Sequence, residues 1–309
     1  MPATALVLRV DRKRVVVELD GGRVADASLR GRFHRARGRA TSPVAVGDRV
    51  EVEETAGGDV ALVGVAARTS VLLRPEVAGR WRQQVLVANA DRAVLVFAHA
   101  DPAPRAGLVD RLLVACHAGN VPPVLVFNKA DLEPSPETAA LIALYERLGY
   151  ELVRSSAASG AGVARLVELL RGRCSVFAGP SGTGKSSLVN RALPGVALRT
   201  GEISRHSGKG THTTTSAQLV RIPGDTGHVV DTPGIKEFGL VDVAPRELEL
   251  QFPEFPVPAR CRFQDCRHDR EPGCAVRAAV ERGELAASRY ESYRTFLGEI
   301  EADAARHGG

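Results

Sequence analysis

Long hydrophobic runs are missing from this chain, and none approaches the roughly 20 apolar residues a bilayer-spanning helix requires. No leader is expected either. The start, Met1-Pro2-Ala3-Thr4-Ala5, carries no charged region followed by an apolar core, so we expect a cytoplasmic protein with no membrane partner. Cysteine is scarce, with five in 309 residues. In such a compartment that points away from a disulfide framework and towards metal ligands or buried thiols. Lysine is scarcer relative to arginine: only Lys13, Lys129, Lys185, Lys209 and Lys236 occur. A net charge of +5 suits an anionic partner only weakly. Genomic base composition can produce an arginine bias, so the position of the charge says more than its total. The remainder, 44% apolar and 25% charged, is the composition of a globular chain long enough for two or three domains.

Three textures follow one another. Residues 1–67 read as short strands with turns: 6–10 and 14–19 around Asp11-Arg12-Lys13, a turn at Asp20-Gly21-Gly22, then 44–52 and 60–65. About five such strands fit a small closed OB-fold barrel, an architecture that commonly binds oligonucleotides. Arg30, Arg32, Arg35, Arg37 and Arg39 crowd one inter-strand segment together with Phe33, a composition suited to phosphate contact with RNA. Residues 68–240 alternate strand and helix, which implies a parallel sheet covered on both faces. Residues 241–309 hold a Pro-broken stretch, a Cys/His cluster and a helical tail from Val276 to His307, and read as a small α-rich zinc-binding domain.

The strongest chemical signal is Gly179-Pro180-Ser181-Gly182-Thr183-Gly184-Lys185-Ser186-Ser187, which satisfies G-x-x-x-x-G-K-[ST] between an apolar strand (174–178) and a helical pattern. Glycines there allow backbone N–H groups to converge on phosphates at a helix N-terminus. Lys185 would reach the β- and γ-phosphates and the Ser186 hydroxyl would ligate Mg²⁺. Asn128-Lys129-Ala130-Asp131 ends another apolar strand. A carboxylate such as that of Asp131 accepts both the N1–H and the 2-amino group of guanine, two donors adenine lacks. Ser156-Ala157 resembles the companion loop that meets guanine O6. Asp231-Thr232-Pro233-Gly234 follows a third apolar strand; Asp231 would hold Mg²⁺ through water, and the Gly234 N–H would face the γ-phosphate. In the run Thr213–Thr215, Thr214 is the candidate hydroxyl for Mg²⁺. Finally, Cys261-x4-Cys266-x-His268-x5-Cys274 supplies three thiolates and an imidazole, a closed tetrahedral set suited to one structural Zn²⁺.

The order of these motifs is unusual. Guanine readers precede the phosphate loop, and the switch-like segments follow it, which is a circular permutation of a guanine-nucleotide switch protein. Ligand loops sit at the carboxyl edge of such a sheet in whatever order the chain visits its strands, so the permutation is physically tolerable. With a barrel before and a Cys/His module after, the chain resembles the RsgA (YjeQ/EngC) family of ribosome small-subunit-dependent GTPases. That resemblance implies GTP hydrolysis to GDP, stimulated by the small (30S) ribosomal subunit and its 16S rRNA, late in maturation of that subunit, by a monomer. It also bears on the attacking water. Ile235 stands where many GTPases carry a glutamine, and the resemblance favours His212 as the residue that positions the water, although a structural or RNA-facing role fits the residue alone. Ser70 departs from the family, whose members often carry asparagine there. A nucleotide kinase would share G-P-S-G-x-G-K-S but needs neither N-K-x-D nor D-T-P-G. An RNA-binding protein with a vestigial nucleotide site is opposed by the intact Lys185, Ser186 and Asp231.

Overall fold

The structure, a computed structural model, describes residues 3–11, 14–29, 43–55, 57–75, 83–196, 217–231, 240–241, 243–255 and 260–307. Strands β1 (Ala3–Val10), β2 (Val15–Leu19), β3 (Val24–Leu29), β4 (Arg49–Glu54) and β5 (Val60–Val65) open the chain. They pair in the order β1-β2-β3-β5-β4, and β4 returns to β1. Every pairing is antiparallel except β3 with β5. This is a closed five-stranded OB-type barrel. Alternation fills it: Val15, Val17 and Leu19 point inward from β2, with Val7 from β1, Val50 and Val52 from β4 and Leu62 from β5. The arginine-rich segment 30–39 lies outside the described residues. The strand expected from Val44 starts only at Arg49 because the chain turns at Gly47, whose φ is +87° and where a Cβ would come within 2.0 Å of the Ala88 carbonyl oxygen. Asp48 locks that turn by accepting a bond from the Ala45 N–H at 2.7 Å.

A hairpin that the sequence did not announce, β6 (Val71–Pro75) and β7 (Gln83–Ala88), bridges to the central sheet. Ser70 takes part in that bridge, its hydroxyl donating to the Ala90 carbonyl at 2.9 Å. Next come β8 (Arg92–Ala98), α1 (Ala106–Ala118), β9 (Pro123–Asn128), α2 (Pro136–Arg147), β10 (Leu152–Arg154), α3 (Val163–Leu170), β11 (Cys174–Ala178), α4 (Lys185–Ala192), β12 (Gln218–Arg221) and β13 (His228–Asp231). The sheet order is β10-β9-β8-β11-β13-β12, parallel except for the β12–β13 pair. Strand β8 is apolar from Ala93 onward because helices cover both faces. Leu95 and Phe97 enter one core, while Val94 and Val96 enter the other. Strand β12 also pairs with β1, Arg9 opposite Gln218, so sheet and barrel form one eleven-stranded surface.

The expected helical tail is two helices, α5 (Ala275–Glu281) and α6 (Ala287–His307). Gly283 breaks it with φ at +73°. The N–H groups of Gly283 and Glu284 then bond the carbonyls of Val280 and Ala279, a Schellman-type stop. Helix α6 packs on α1 through Tyr293, Phe296, Leu297 and Ile300, which meet Val114, Leu248 and Phe252. None of the helices among the described residues is long and apolar enough to cross a membrane.

Candidate active site

Strands β8, β9, β10, β11 and β13 run parallel, so the segments that follow them gather at one carboxyl edge. The loop 179–184 leaves β11 and enters α4 at Lys185. Its glycines are sterically required. A Cβ at Gly179 would come within 2.0 Å of the Val96 carbonyl oxygen, and one at Gly184 (φ +79°) within 2.5 Å of Asn128 Nδ2. Gly184 caps α4 without a side-chain bond, so the first N–H groups of the helix face the loop. Lys185 Nζ donates to the carbonyls of Gly179 and Pro180, each at 2.7 Å, which holds the ammonium across the loop. Thr183 is buried and its hydroxyl bonds the Pro180 carbonyl at 3.1 Å. Ser181 and Ser187 are exposed, while Ser186 is half-buried at the second position of α4.

Asn128 ties three loops together. Its Nδ2 donates to the Thr183 carbonyl at 2.9 Å, and its Oδ1 accepts from the Ala157 N–H at 3.1 Å. The side chain is 1% exposed, so neither bond competes with water. Asp131 is exposed and accepts a short bond from the buried Ser156 hydroxyl, which holds its carboxyl below the usual range. Lys129 (φ +63°) sends Nζ to the Asp101 carbonyl, so the loop after β8 borders the site as well. That loop carried no sequence signal. Asp231 ends β13 at 3% exposure, with Gln218 Nε2 at 3.4 Å from its Oδ2. The structure therefore brings 128–131, 156–157, 179–187 and Asp231 to one edge. His212, Thr214 and Gly234 lie outside the described residues.

The second cluster lies in the carboxyl-terminal module. One ligand atom from each of Cys261, Cys266, His268 and Cys274 falls within 4.8 Å of the others. A tetrahedron with Zn–S near 2.3 Å and Zn–N near 2.0 Å has edges of roughly 3.5–3.8 Å. His268 Nδ1 sits 3.4 Å from Cys274 Sγ and 3.6 Å from Cys261 Sγ, so the donor set fits such a metal. Burial pushes the Cys266 thiol above its ordinary range, so a metal bound there would have to displace its proton. Backbone N–H groups of Ala275 and Arg277 point at the sulfurs of Cys261 and Cys274. Helix α6 holds the ligand loop, with the Tyr290 hydroxyl donating to the His268 carbonyl at 2.6 Å and that of Tyr293 to the Arg267 carbonyl at 3.0 Å. The remaining cysteines are unrelated to this cluster: Cys116 is buried on α1, and Cys174 is half-buried on β11.

A nucleotide-type phosphate loop, a guanine-type reader placed before it, a preceding OB barrel and a following Cys/His module define a circularly permuted GTPase. The family model described as RsgA GTPase matches residues 65–241. "Small ribosomal subunit biogenesis GTPase RsgA" of Ectopseudomonas mendocina is 45% identical over 294 residues, covering 94% of this chain and 84% of the relative. The solved structure of YjeQ from Thermotoga maritima superposes with a TM-score of 0.78 at 34% identity, covering 97% of this chain and 99% of that one. YloQ, described as a circularly permuted GTPase, superposes at 0.71 with 27% identity over 98% and 96% of the two chains. This chain belongs to the RsgA GTPase family.

Proposed function

We infer that this GTPase hydrolyses GTP in response to the small (30S) ribosomal subunit, as a cytoplasmic, monomeric factor in late maturation of that subunit. The observation that carries the guanine-nucleotide reading is the Asn128 side chain, bonded at once to the phosphate loop and the Ala157 loop. The small subunit as partner is supported by the name of the relative from Ectopseudomonas mendocina. Three modules divide the work: 1–67 contacts rRNA through Arg30, Arg32, Arg35, Arg37 and Arg39; 68–240 binds and cleaves nucleotide; 241–309 is organised by zinc on Cys261, Cys266, His268 and Cys274.

Within the site, Asp131 reads guanine, Ser156 orients that carboxylate, and the loop of Ser156 and Ala157 lies beside the base oxygen. Backbone N–H groups of 179–187 and the Lys185 ammonium take the phosphates, and the Gly234 N–H adds a donor at the γ-position. Ser186, Thr214 and, through water, Asp231 would hold Mg²⁺, which would supply neutralisation of the phosphate charge. His212 positions the attacking water, a task Ile235 cannot perform. The deciding experiment is GTP turnover alone and with small subunits. Stimulation by subunits supports the reading. Phosphoryl transfer to GMP would make the protein a kinase, and GTP binding without turnover even with subunits would make the site vestigial. Asp131→Asn should cost at least a hundredfold in GTP preference over xanthosine triphosphate, because the amide presents a donor where guanine also presents one.

A further inference from the structure

Three of the four candidate zinc ligands are thiols on flexible single bonds, but the fourth is a ring that must be aimed. His268 is 1% exposed, and both of its nitrogens are accounted for. Nδ1 faces Cys261 and Cys274, while Nε2 lies 2.7 Å from Oε2 of Glu249. Glu249 belongs to a different element, a single 3-10 turn (Leu248–Gln251) nineteen positions earlier in the chain. That turn is anchored by Leu248, which is fully buried in the aromatic core beneath α6. The carboxylate therefore approaches the ring from a fixed platform, and its side chain is itself only 21% exposed.

Resting on the zinc reading above, we propose that Glu249 is the positioning residue of the metal centre. It accepts the Nε2–H of His268, so the tautomer that leaves Nδ1 free to ligate is selected and the ring is held towards the three sulfurs. A carboxylate in this position raises the donor strength of the ligating nitrogen, and loss of such a partner weakens metal binding by about 10–100-fold in comparable centres. The imidazole's backbone is fixed separately from α6 by Tyr290 and Tyr293, so Glu249 governs the ring rather than the loop.

The test uses the full-length protein, with zinc content measured directly and affinity measured by competition with a chromogenic chelator. Glu249→Ala should bind zinc about 10–100-fold more weakly than wild type. Glu249→Gln should recover part of the loss because its amide oxygen still accepts the Nε2–H. Leu250→Ala, in the same turn at an exposed position (67%), should leave affinity unchanged. In cobalt-substituted Glu249→Gln the thiolate-to-metal bands should persist while the ligand-field bands shift. A folded Glu249→Gln with wild-type affinity and wild-type cobalt spectrum overturns the role of Glu249, even where Glu249→Ala fails to fold. A wild-type protein that carries no zinc and binds no cobalt overturns the metal reading itself, and the role with it.

Discussion

The barrel and the carboxyl-terminal module are both joined to the central sheet, but by different physics. On the barrel side the junction is backbone: β1 continues the sheet beside β12 at the Arg9–Gln218 pair. One carboxylate reinforces it, with Glu18 accepting from Arg221 at 2.7 Å and from His228 at 3.1 Å. Arg221 is half exposed, so its pair with Glu18 is worth little in water, while the contact of Glu18 with His228 is the shielded part of this junction. On the other side the junction is made of side chains sealed from water. Arg289 of α6 is fully buried and bonds Asp110 of α1, which is fully buried too, and Glu254 at 2.5 Å. Tyr145 of α2 closes the group by donating to Asp110 at 2.5 Å, and Phe252 lies 4.6 Å beneath the guanidinium. Burial works against the Arg289 charge, yet Glu254 and Asp110 raise its pKa above the ordinary arginine value. The barrel is thus a soft extension of the strands flanking Asp231, whereas the carboxyl-terminal module is bolted to the far side of α1.

The contrast can be broken by removing one residue from each junction. Arg289→Ala leaves Asp110 buried without its cation, and the expected loss is about 3–5 kcal/mol in urea unfolding. A second test concerns the nucleotide edge, which is held by close backbone packing rather than by charge. Gly184→Ala forces a left-handed conformation and a 2.5 Å contact with Asn128, so a cost of roughly 1–3 kcal/mol and a weaker titration with a fluorescent GTP analogue are expected. Glu18→Ala should cost about 1 kcal/mol or less, with the difference from wild type shrinking in high salt. If Glu18→Ala proved as damaging as Arg289→Ala, the barrel junction would not be the soft one.

Legibility in the sequence follows the same division. The nucleotide edge was readable because its chemistry demands particular residues at fixed spacing: glycines where a Cβ would strike Val96 or Asn128, and a carboxylate three positions after Asn128. The Cys/His cluster was readable because its four residues lie within fourteen positions of one another. The junctions were not. Arg289 pairs with Asp110 across 179 positions, and Glu249 meets His268 from an unrelated turn. A buried arginine and an exposed one look alike in a chain whose positive charge is almost all arginine. The β6–β7 hairpin was missed because Arg74-Pro75 punctuates its first strand and masks the pattern.

A last measurement sharpens the claim that the carboxyl-terminal junction is dry. His117 of α1 stacks on Tyr150 with ring centroids 5.8 Å apart, and its Nδ1 lies 3.0 Å from the Gln251 carbonyl. Burial lowers its pKa from the ordinary 6.5, with Arg289 adding to the depression. The folded state therefore binds fewer protons here than the unfolded chain, and stability must rise with pH across this window. On acidification the contribution is intact above about 6.5 and is lost progressively as pH falls towards the depressed folded value. His117→Gln keeps a donor for Gln251 but cannot titrate, so the unfolding free energy of this variant should depend less on pH between 7 and 5 than that of wild type. The effect is expected to be the smallest of the set, because the ring is only partly buried. Parallel pH curves for the two proteins would mean that water reaches the ring and that the seal at α1 ends short of His117.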